Sequence, residues 1–261
     1  MQPIPHATSL QLSIAAHGAI AHAFYGCQGG VSSGDYESLN AGPGSDDATE
    51  AVEENRRRIA ADIGADGPQA LISLYQFHSA KAVTLASPPA SRPEADAMVT
   101  AVPGLALCIL TADCVPILFA DPSAGVIGAA HAGWRGAIDG VLEGCIAEME
   151  RAGAHVGDIV AAIGPAIQQP SYEVGPEFRH RFLSQAAEND SFFQSGEGDR
   201  SHFDLPGYVA RRLLWSCGIT AIDTLADDTC ALETMYFSNR RRNKQGKADY
   251  GRNASVIMIR P

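Results

Sequence analysis

Three segments of the chain place a histidine or a cysteine directly after an apolar run of strand length. They are Gln76-Phe77-His78-Ser79, Thr111-Ala112-Asp113-Cys114-Val115-Pro116 and His131-Ala132-Gly133-Trp134-Arg135-Gly136. Strand ends are where α/β folds collect the side chains of their sites. Thiolate and imidazole are ligands that zinc prefers, and three protein ligands with one open position are typical of catalytic zinc. His78, Cys114 and His131 are therefore a predicted metal-binding set.

The same side chains are compatible with two other chemistries. Cys114 with His131 or His78 could form a nucleophile and base that work without a metal. Two histidines and a cysteine also match the ligands of blue-copper sites. The paired His-x-His motifs of multicopper oxidases, however, do not occur in the sequence, and its eight histidines are scattered. Residue types alone leave open whether the thiolate is a ligand or a nucleophile.

Polar residues beside these three side chains have predicted supporting roles. Asp113 adjoins Cys114 between two apolar strands, where a charged group needs a partner. It could orient a metal ligand or move a proton. Gly133 and Gly136 flank Arg135 just before a helix, and glycine lets the backbone approach a ligand closely. The helix start offers free N–H groups to an anion, so we expect Arg135 to hold phosphate or a ribose hydroxyl.

A basic cluster near the C-terminus is the second candidate for phosphate binding. Six of the 19 basic residues fall between positions 240 and 252, and they are Arg240, Arg241, Arg242, Lys244, Lys247 and Arg252. Arginine pairs bidentately with phosphate. The alternative interpretation is a solvated basic loop.

Apolar runs and helical periodicity predict the elements that must position these residues. Predicted strands lie at 72–75, 105–110, 117–120, 126–130, 159–163, 219–225 and 255–259. Predicted helices lie at 50–63, 138–151 and 206–217, the second with one apolar stripe that includes Cys145. Cys108 lies inside an apolar strand, so both of these cysteines are predicted to be core. Alternating strands and helices favour a mixed α/β domain.

Composition excludes several classes of protein. Hydrophobic residues make up 46% of 261 residues, enough for a sizeable core and too many for a disordered chain. The net charge of -11 argues against nucleic-acid or anionic-membrane partners. The apolar stretch 97–112 contains Pro103 and Gly104 and is too short to span a bilayer. The N-terminal segment lacks the basic region of a secretory signal, and no CxxC pair occurs, so we expect a cytoplasmic protein with free thiols.

Together the motifs resemble one family. The N-terminal part carries Gly29-Gly30-Val31-Ser32, Ser38-Leu39-Asn40 and Glu54-Asn55-Arg56. The centre carries Gln76-x-His78, Ala95-Asp96-Ala97, Thr111-Ala112-Asp113-Cys114-x-Pro116 and the segment from His131 to Gly136. The remainder carries Gly164-Pro165-Ala166-Ile167, Tyr172-Glu173-Val174, Asp204-Leu205, Phe237-Ser238-x-Arg240-Arg241 and Gly251-Arg252. The chain resembles the YfiH-like family, variously named laccase domain, polyphenol oxidase and purine nucleoside phosphorylase, from about residue 10 to 260.

The resemblance implies one catalytic domain over residues 1–261, an α/β/β/α layered sandwich similar to the cytotoxic necrotising factor catalytic domain. It implies zinc on His78, Cys114 and His131. We predict these three residues, together with Asp113, as the catalytic residues. Predicted substrate-binding residues are Asn40, Gln76, Arg135, Arg240 and Arg241. Implied activities are phosphorolysis of adenosine, inosine, guanosine and methylthioadenosine, and adenosine deamination. Substrates are then a purine nucleoside and phosphate, and we expect a monomer.

Alternatives from the same resemblance are a Cys–His hydrolase or deamidase that edits peptidoglycan precursors, and a copper-dependent polyphenol oxidase. The sequence departs from the family at one point. A Ser-Thr-Arg run commonly precedes the Gly-Gly-Val-Ser segment, and here the region reads Phe24-Tyr25-Gly26-Cys27-Gln28. If the family arginine holds phosphate or substrate, Arg240 or Arg241 must supply that role.

Overall fold

The structure, a computed structural model, describes residues 4–261. Its strands are β1 (His6–Ala7), β2 (Ile20–Tyr25), β3 (Leu71–Ser73), β4 (Ala82–Thr84), β5 (Ala97–Thr100), β6 (Ala106–Thr111), β7 (Val115–Asp121), β8 (Val126–Ala132), β9 (Val160–Ile163), β10 (Glu173–Val174), β11 (Phe193–Ser195), β12 (Ser201–Phe203), β13 (Ala221–Thr224) and β14 (Asn253–Ile259). Its helices are α1 (Leu10–Ala16), α2 (Thr49–Ile63), α3 (Trp134–Asp139), α4 (Val141–Arg151), α5 (Pro176–Leu183), α6 (Leu205–Trp215) and α7 (Asn239–Lys244).

Two mixed sheets form the centre of the molecule. The first has the strand order β1-β2-β14-β6-β3, and the second has the order β13-β9-β7-β8-β5-β4. The central strands β6, β7 and β8 are almost wholly buried, as their continuous apolar runs predict. A third sheet, β10-β12-β11, is small, shares no strand with these two, and contributes Val174 and Phe203 to the core on the helical side of the second sheet.

Alternation along the central strands shows how the layers stack. In β6, Leu107 and Ile109 belong to a core shared with the second sheet, whereas Cys108 belongs to a core under α2. In β7, Leu118 faces the shared core and Phe119 faces the helical side, where α4 and α6 pack. Because successive strand residues point to opposite faces, the order of layers is helix, sheet, sheet, helix. The predicted α/β/β/α sandwich is confirmed.

Glycine divides the predicted helix 138–151 into two. Helix α3 begins earlier, at Trp134, and ends at Gly140, whose φ of 105° only glycine adopts readily. Helix α4 then starts at Val141 and buries its apolar stripe, including Cys145. The other two helices lie close to their predicted bounds. Cys108 and Cys145 are fully buried, as expected, whereas Cys217 follows the end of α6 and is half-buried.

The sequence patterns missed several elements. Strand β2 is buried at every position and pairs with β14, although its small and polar residues hide the apolar run. The third sheet and α5 were also missed, and they enclose an aromatic cluster built on Phe178, Phe182 and Phe203. None of the helices described here combines the length and apolar character that a bilayer crossing needs.

Candidate metal centre

Three side chains from distant parts of the sequence meet at one edge of the two sheets. One ligand atom from each of His78, Cys114 and His131 lies within 4.8 Å of the other two. His78 Nε2 is 3.6 Å from Cys114 Sγ, and the two imidazole rings meet edge to face with centroids 4.8 Å apart. His131 is buried, Cys114 is half-buried and His78 is exposed. The group therefore opens to solvent on the His78 side.

Chain crossings between the two sheets carry two of these residues. The segment after β3 leaves the first sheet and reaches β4 in the second, and it contains His78. The turn from β6 to β7 makes the same crossing and contains Cys114. His78 and Asp113 have φ values of 65° and 89°, a left-handed conformation that costs energy for residues other than glycine. The surrounding contacts must therefore hold both turns.

The third ligand is set by strand register. His131 lies near the end of β8 and pairs with Pro116 of β7. Because Pro116 is only two residues after Cys114, this pairing brings His131 close to Cys114. Gly133 follows His131 two residues later and is the N-cap of α3. A Cβ at Gly133 would stand 2.3 Å from His78 Cδ2 and 3.2 Å from Cys114 Sγ, so only glycine fits against the group. The close approach that Gly133 allows here is to these two side chains, and its approach to a ligand stays a prediction.

The buried carboxylate of Asp96 joins the two histidine segments. Asp96 is fully buried just before β5, and His131 Nδ1 donates to its Oδ1 at 2.8 Å. The backbone N–H groups of Phe77, His78 and Ser79 donate to the same carboxylate, as does the Ser79 hydroxyl. Burial raises the pKa of Asp96, but the hydrogen bonds from His131 and Ser79 outweigh burial and lower it to about 2.

Cys114 and His131 shift each other's pKa. Burial favours the neutral thiol, but the positive charge and hydrogen bond of His131, with a hydrogen bond from His78, lower the pKa of Cys114 to about 6. Burial also lowers the pKa of His131, but the Cys114 thiolate and the Asp96 carboxylate raise it to about 9. These opposite shifts favour a thiolate paired with an imidazolium when no metal is bound. Metal binding must then release the imidazolium proton.

The donor set fits zinc. In tetrahedral geometry, Zn–S and Zn–N bonds of the usual length place sulfur and nitrogen about 3.5 Å apart. The distance of 3.6 Å between Cys114 Sγ and His78 Nε2 matches this value. Because Nδ1 of His131 is engaged by Asp96, its Nε2 remains as the ligand atom.

Asp113 lies beside the group, but its carboxylate is engaged elsewhere. Its Oδ1 accepts from the Thr229 hydroxyl at 2.8 Å, and its Oδ2 accepts from the Arg240 backbone N–H at 2.6 Å. Burial raises the pKa of Asp113, while the hydrogen bonds from Arg240, Ser238 and Thr229 oppose that shift. The carboxylate thereby ties the Cys114 turn to the start of α7.

The side chain of Arg240 lies beside its backbone hydrogen bond to Asp113. Its guanidinium lies over the ring of Tyr172, with 5.1 Å between its central carbon and the ring centroid, and Nη1 donates to the Glu173 carbonyl at 2.7 Å. The Nε and Nη2 groups have no acceptor within residues 4–261. Burial is the main cause of the raised pKa of Tyr172, and the negative charge of the Cys114 thiolate adds to it. The Tyr172 ring therefore also lies near the His–Cys–His group.

The other predicted substrate-binding residues have different surroundings. Gln76 exchanges two hydrogen bonds with the backbone of Leu110 and so joins its loop to β6. Asn40 is fully buried and bonds within its own loop and to the Arg252 backbone. Arg241 donates to three backbone carbonyls. Arg135 is exposed, and its guanidinium stacks on Trp134.

Sequence reasoning missed the roles of Asp96 and Tyr172. In the sequence, Asp96 belongs to the motif Ala95-Asp96-Ala97 and carries no predicted role. The available signal was an acidic residue immediately before a buried strand, where an unpaired charge is costly. Tyr172 had no such signal, because its place beside Arg240 depends on contact between distant segments.

The fold and site define a mixed α/β protein with a His–Cys–His group at the edge of two stacked sheets. A family model described as multi-copper polyphenol oxidoreductase laccase matches residues 21–260. A Deinococcus radiodurans protein named purine nucleoside phosphorylase is 41% identical over 90% of this chain and 89% of its own. The Escherichia coli purine nucleoside phosphorylase YfiH is 35% identical over 88% of this chain and 90% of its own.

A solved structure extends the match to the whole fold. A Neisseria meningitidis protein of the DUF152 family superposes with a TM-score of 0.86 and 31% identity over 100% of both chains. The chain therefore belongs to the YfiH-like family, whose members carry both laccase-domain and purine nucleoside phosphorylase names.

Proposed function

We propose that this chain is a zinc-dependent enzyme of purine nucleosides. It would cleave adenosine, inosine, guanosine and methylthioadenosine with phosphate, and it would also deaminate adenosine. The observation that carries the proposal is the convergence of His78, Cys114 and His131, with a sulfur–nitrogen spacing suited to tetrahedral zinc. Relatives named purine nucleoside phosphorylase support the substrate class.

In phosphorolysis, a phosphate oxygen bonds to the anomeric carbon of the ribose while the bond to the purine nitrogen breaks. The electron pair leaves with the purine, which takes up a proton. Zinc bound to His78, Cys114 and His131 would supply Lewis acidity to substrate oxygen. Arg240 would hold phosphate through its unpartnered N–H groups, because a guanidinium suits tetrahedral oxyanions. In deamination, water instead adds at purine C6 and ammonia leaves.

Asp113 has a positioning role in this proposal. Its two carboxylate oxygens accept hydrogen bonds from Thr229 and from the Arg240 backbone. We therefore assign to it the placement of Arg240 relative to the Cys114 turn. Gln76, Asn40 and Arg241 would shape the walls through their backbone contacts, and Arg135 remains a candidate contact for ribose or phosphate.

A Cys–His hydrolase or deamidase is the second candidate, and one specific observation favours it. The pKa of Cys114 is lowered to about 6 by His131 and His78, so a metal-free protein would present a thiolate at neutral pH. Such a thiolate is a competent nucleophile. Selective alkylation of Cys114 in active, metal-free protein would support this candidate over the zinc enzyme.

Product analysis tests the leading proposal. Pure protein is incubated with adenosine, with and without phosphate, and the products are separated. Adenine formed only with phosphate establishes phosphorolysis, and inosine in both samples establishes deamination. No turnover in either sample overturns the proposal and favours the hydrolase.

The Cys114→Ala variant connects turnover to the site. Losing a metal ligand should remove several kcal/mol of transition-state stabilisation, so activity should fall about 10³-fold. Cys230→Ala is the matched control, because Cys230 is half-buried and lies outside the group. Full activity in Cys114→Ala would contradict the assignment. Elemental analysis of the active protein distinguishes zinc from copper, and activity lost on copper removal would favour the polyphenol oxidase.

The location and assembly of the enzyme belong to the same proposal. All six cysteines lie in the described residues, and each is a free thiol, as suits a reducing cytoplasm. We expect a cytoplasmic monomer, which sedimentation and fractionation would check.

A further inference from the structure

We propose that Asp96 is the positioning residue that sets both histidine ligands at once. The inference rests on the proposed function, since it concerns the same metal site. The Asp96 carboxylate accepts five hydrogen bonds: one from the His131 ring, three from the backbone of residues 77–79 and one from the Ser79 hydroxyl. Sequence spacing does not pair this carboxylate with either histidine, because His78 is 18 residues away and His131 is 35 residues away.

The two histidines are held in different ways. His131 is held through its ring, because Nδ1–H donates to Asp96 Oδ1 at 2.8 Å and leaves Nε2 free to bind a metal. His78 is held through its backbone, because its N–H donates to the same oxygen at 3.0 Å. Within residues 4–261 no carboxylate accepts a hydrogen bond from the ring of His78, so the placement of its loop decides where Nε2 lies.

Backbone strain explains why one carboxylate must hold the whole loop. His78 has a φ of 65°, a conformation that persists only where the surroundings enforce it. Phe77, His78 and Ser79 turn three consecutive N–H groups toward Asp96, which lies fully buried beneath them. A carboxylate can accept all of these bonds, because both of its oxygens are acceptors only.

A neutral amide cannot do the same. In Asp96→Asn, one oxygen becomes an NH₂ group that faces the Ser79 N–H or the His131 Nδ1–H. In either orientation the NH₂ group faces at least two N–H donors and can accept a hydrogen bond from neither. The His131 tautomer or the His78 loop must therefore change. Outer hydrogen bonds of this kind contribute 10- to 100-fold to metal affinity or activity.

Metal titration of the full chain provides the test. Zn²⁺ affinity is measured by chelator competition, and Co²⁺ spectra report on ligand geometry. We expect Asp96→Asn to weaken Zn²⁺ binding roughly 10- to 100-fold and to alter the Co²⁺ bands. Excess Zn²⁺ should restore part of its turnover, whereas Cys114→Ala should not recover.

Asp121→Asn is the matched control. Asp121 is also fully buried at a strand end and accepts backbone N–H groups from Ser123, Ala124 and His155. Its substitution should lower stability while leaving Zn²⁺ affinity and Co²⁺ bands close to those of the parent. Equal affinities for the parent and Asp96→Asn would overturn the inference. A parent protein that binds no Zn²⁺ would instead overturn the proposed function.

A second measurement needs no variant. Imidazole nitrogen NMR of the zinc-loaded parent should show His131 protonated at Nδ1 and metal-bound at Nε2. Metal bound at Nδ1 of His131 would contradict the proposal, because Nδ1 could then not donate to Asp96. This result does not depend on whether Asp96→Asn folds.

Discussion

Asp96 and Asp113 are two buried aspartates beside the same candidate metal centre, and they lie on opposite sides of it. Asp96 faces the histidines and accepts the His131 ring N–H. Asp113 adjoins Cys114 in sequence but faces away, toward Thr229 and the Arg240 backbone. The pKa of Asp96 is lowered to about 2, whereas burial raises the pKa of Asp113. Partners therefore decide the role of each carboxylate, and proximity in sequence does not.

The two sides also divide the proposed work. The Asp96 side places the metal ligands, and the Asp113 side places the cation that would hold phosphate. Variants on each side should then separate metal binding from phosphate binding.

Among the variants that compare the two sides, the largest effect should come from a substitution that crowds the metal ligands. In Gly133→Ala, the new methyl group would meet His78 Cδ2 at 2.3 Å and push the imidazole from its place. Because displacements of about 1 Å at a reacting centre cost about 10²-fold, we expect kcat/KM to fall by that factor. Steady-state kinetics with adenosine and phosphate measures it. Gly157→Ala is the control, since its methyl group would meet nothing within 4 Å, and equal kinetics in both variants would contradict the geometry.

A substitution of Arg240 should weaken the binding of phosphate. Removing a charged hydrogen-bonding group costs about 1.5–3 kcal/mol, so Arg240→Gln should raise the KM for phosphate about 10- to 100-fold. Zn²⁺ affinity should stay near that of the parent. Arg242→Gln is the neighbouring control, because its guanidinium stacks on Tyr250. If Arg240→Gln loses Zn²⁺ and keeps the KM for phosphate of the parent, Arg240 supports the metal site and does not bind phosphate.

Stability should depend on pH in opposite directions at the two carboxylates. The folded pKa of Asp96 lies below its ordinary value, so its contribution is present above about pH 4 and disappears as pH falls toward 2. A shift of this size is worth about 2 kcal/mol. The folded pKa of Asp113 is raised, so its contribution is lost as pH rises through that pKa.

Urea unfolding of metal-free protein from pH 3 to pH 7 checks this contrast. The destabilisation caused by Asp96→Asn should grow as pH rises, and that caused by Asp113→Asn should shrink. Parallel trends would show that the two carboxylates have similar surroundings.

The smallest effect should come from one hydroxyl on the Asp113 side. Thr229→Val removes the donor to Asp113 Oδ1 and keeps the shape of the side chain. Leaving a buried acceptor unpaired costs about 1–3 kcal/mol, so we expect the free energy of unfolding to fall by about 1 kcal/mol. Calorimetry of the variant beside Thr84→Val, whose hydroxyl bonds at the surface, would show whether the buried contact matters more.

Local patterns were sufficient for most of the central fold. Continuous apolar runs predicted β6, β7 and β8, because strands buried on both faces carry few polar residues. Helical periodicity predicted α2 and α6 within two residues. It predicted one helix over 138–151 where there are two, because the left-handed Gly140 separates α3 from α4 without interrupting the apolar stripe. Strand β2 was not predicted, because Ala21, His22 and Ala23 are small or polar and do not form an apolar run. Their burial depends on pairing with β14.

Residue chemistry and strand-end position determined which side chains belong to the site. Imidazole and thiolate at the ends of buried strands suggested His78, Cys114 and His131 before any distance was known, and the family motifs supported the same set. Only the tertiary structure decided what surrounds them. The two crossings between sheets bring residues 78 and 114 together, and strand register adds residue 131. Asp96 rather than Asp113 contacts the histidines, because hydrogen-bond partners depend on where separate strands end in space, which one-dimensional spacing does not encode.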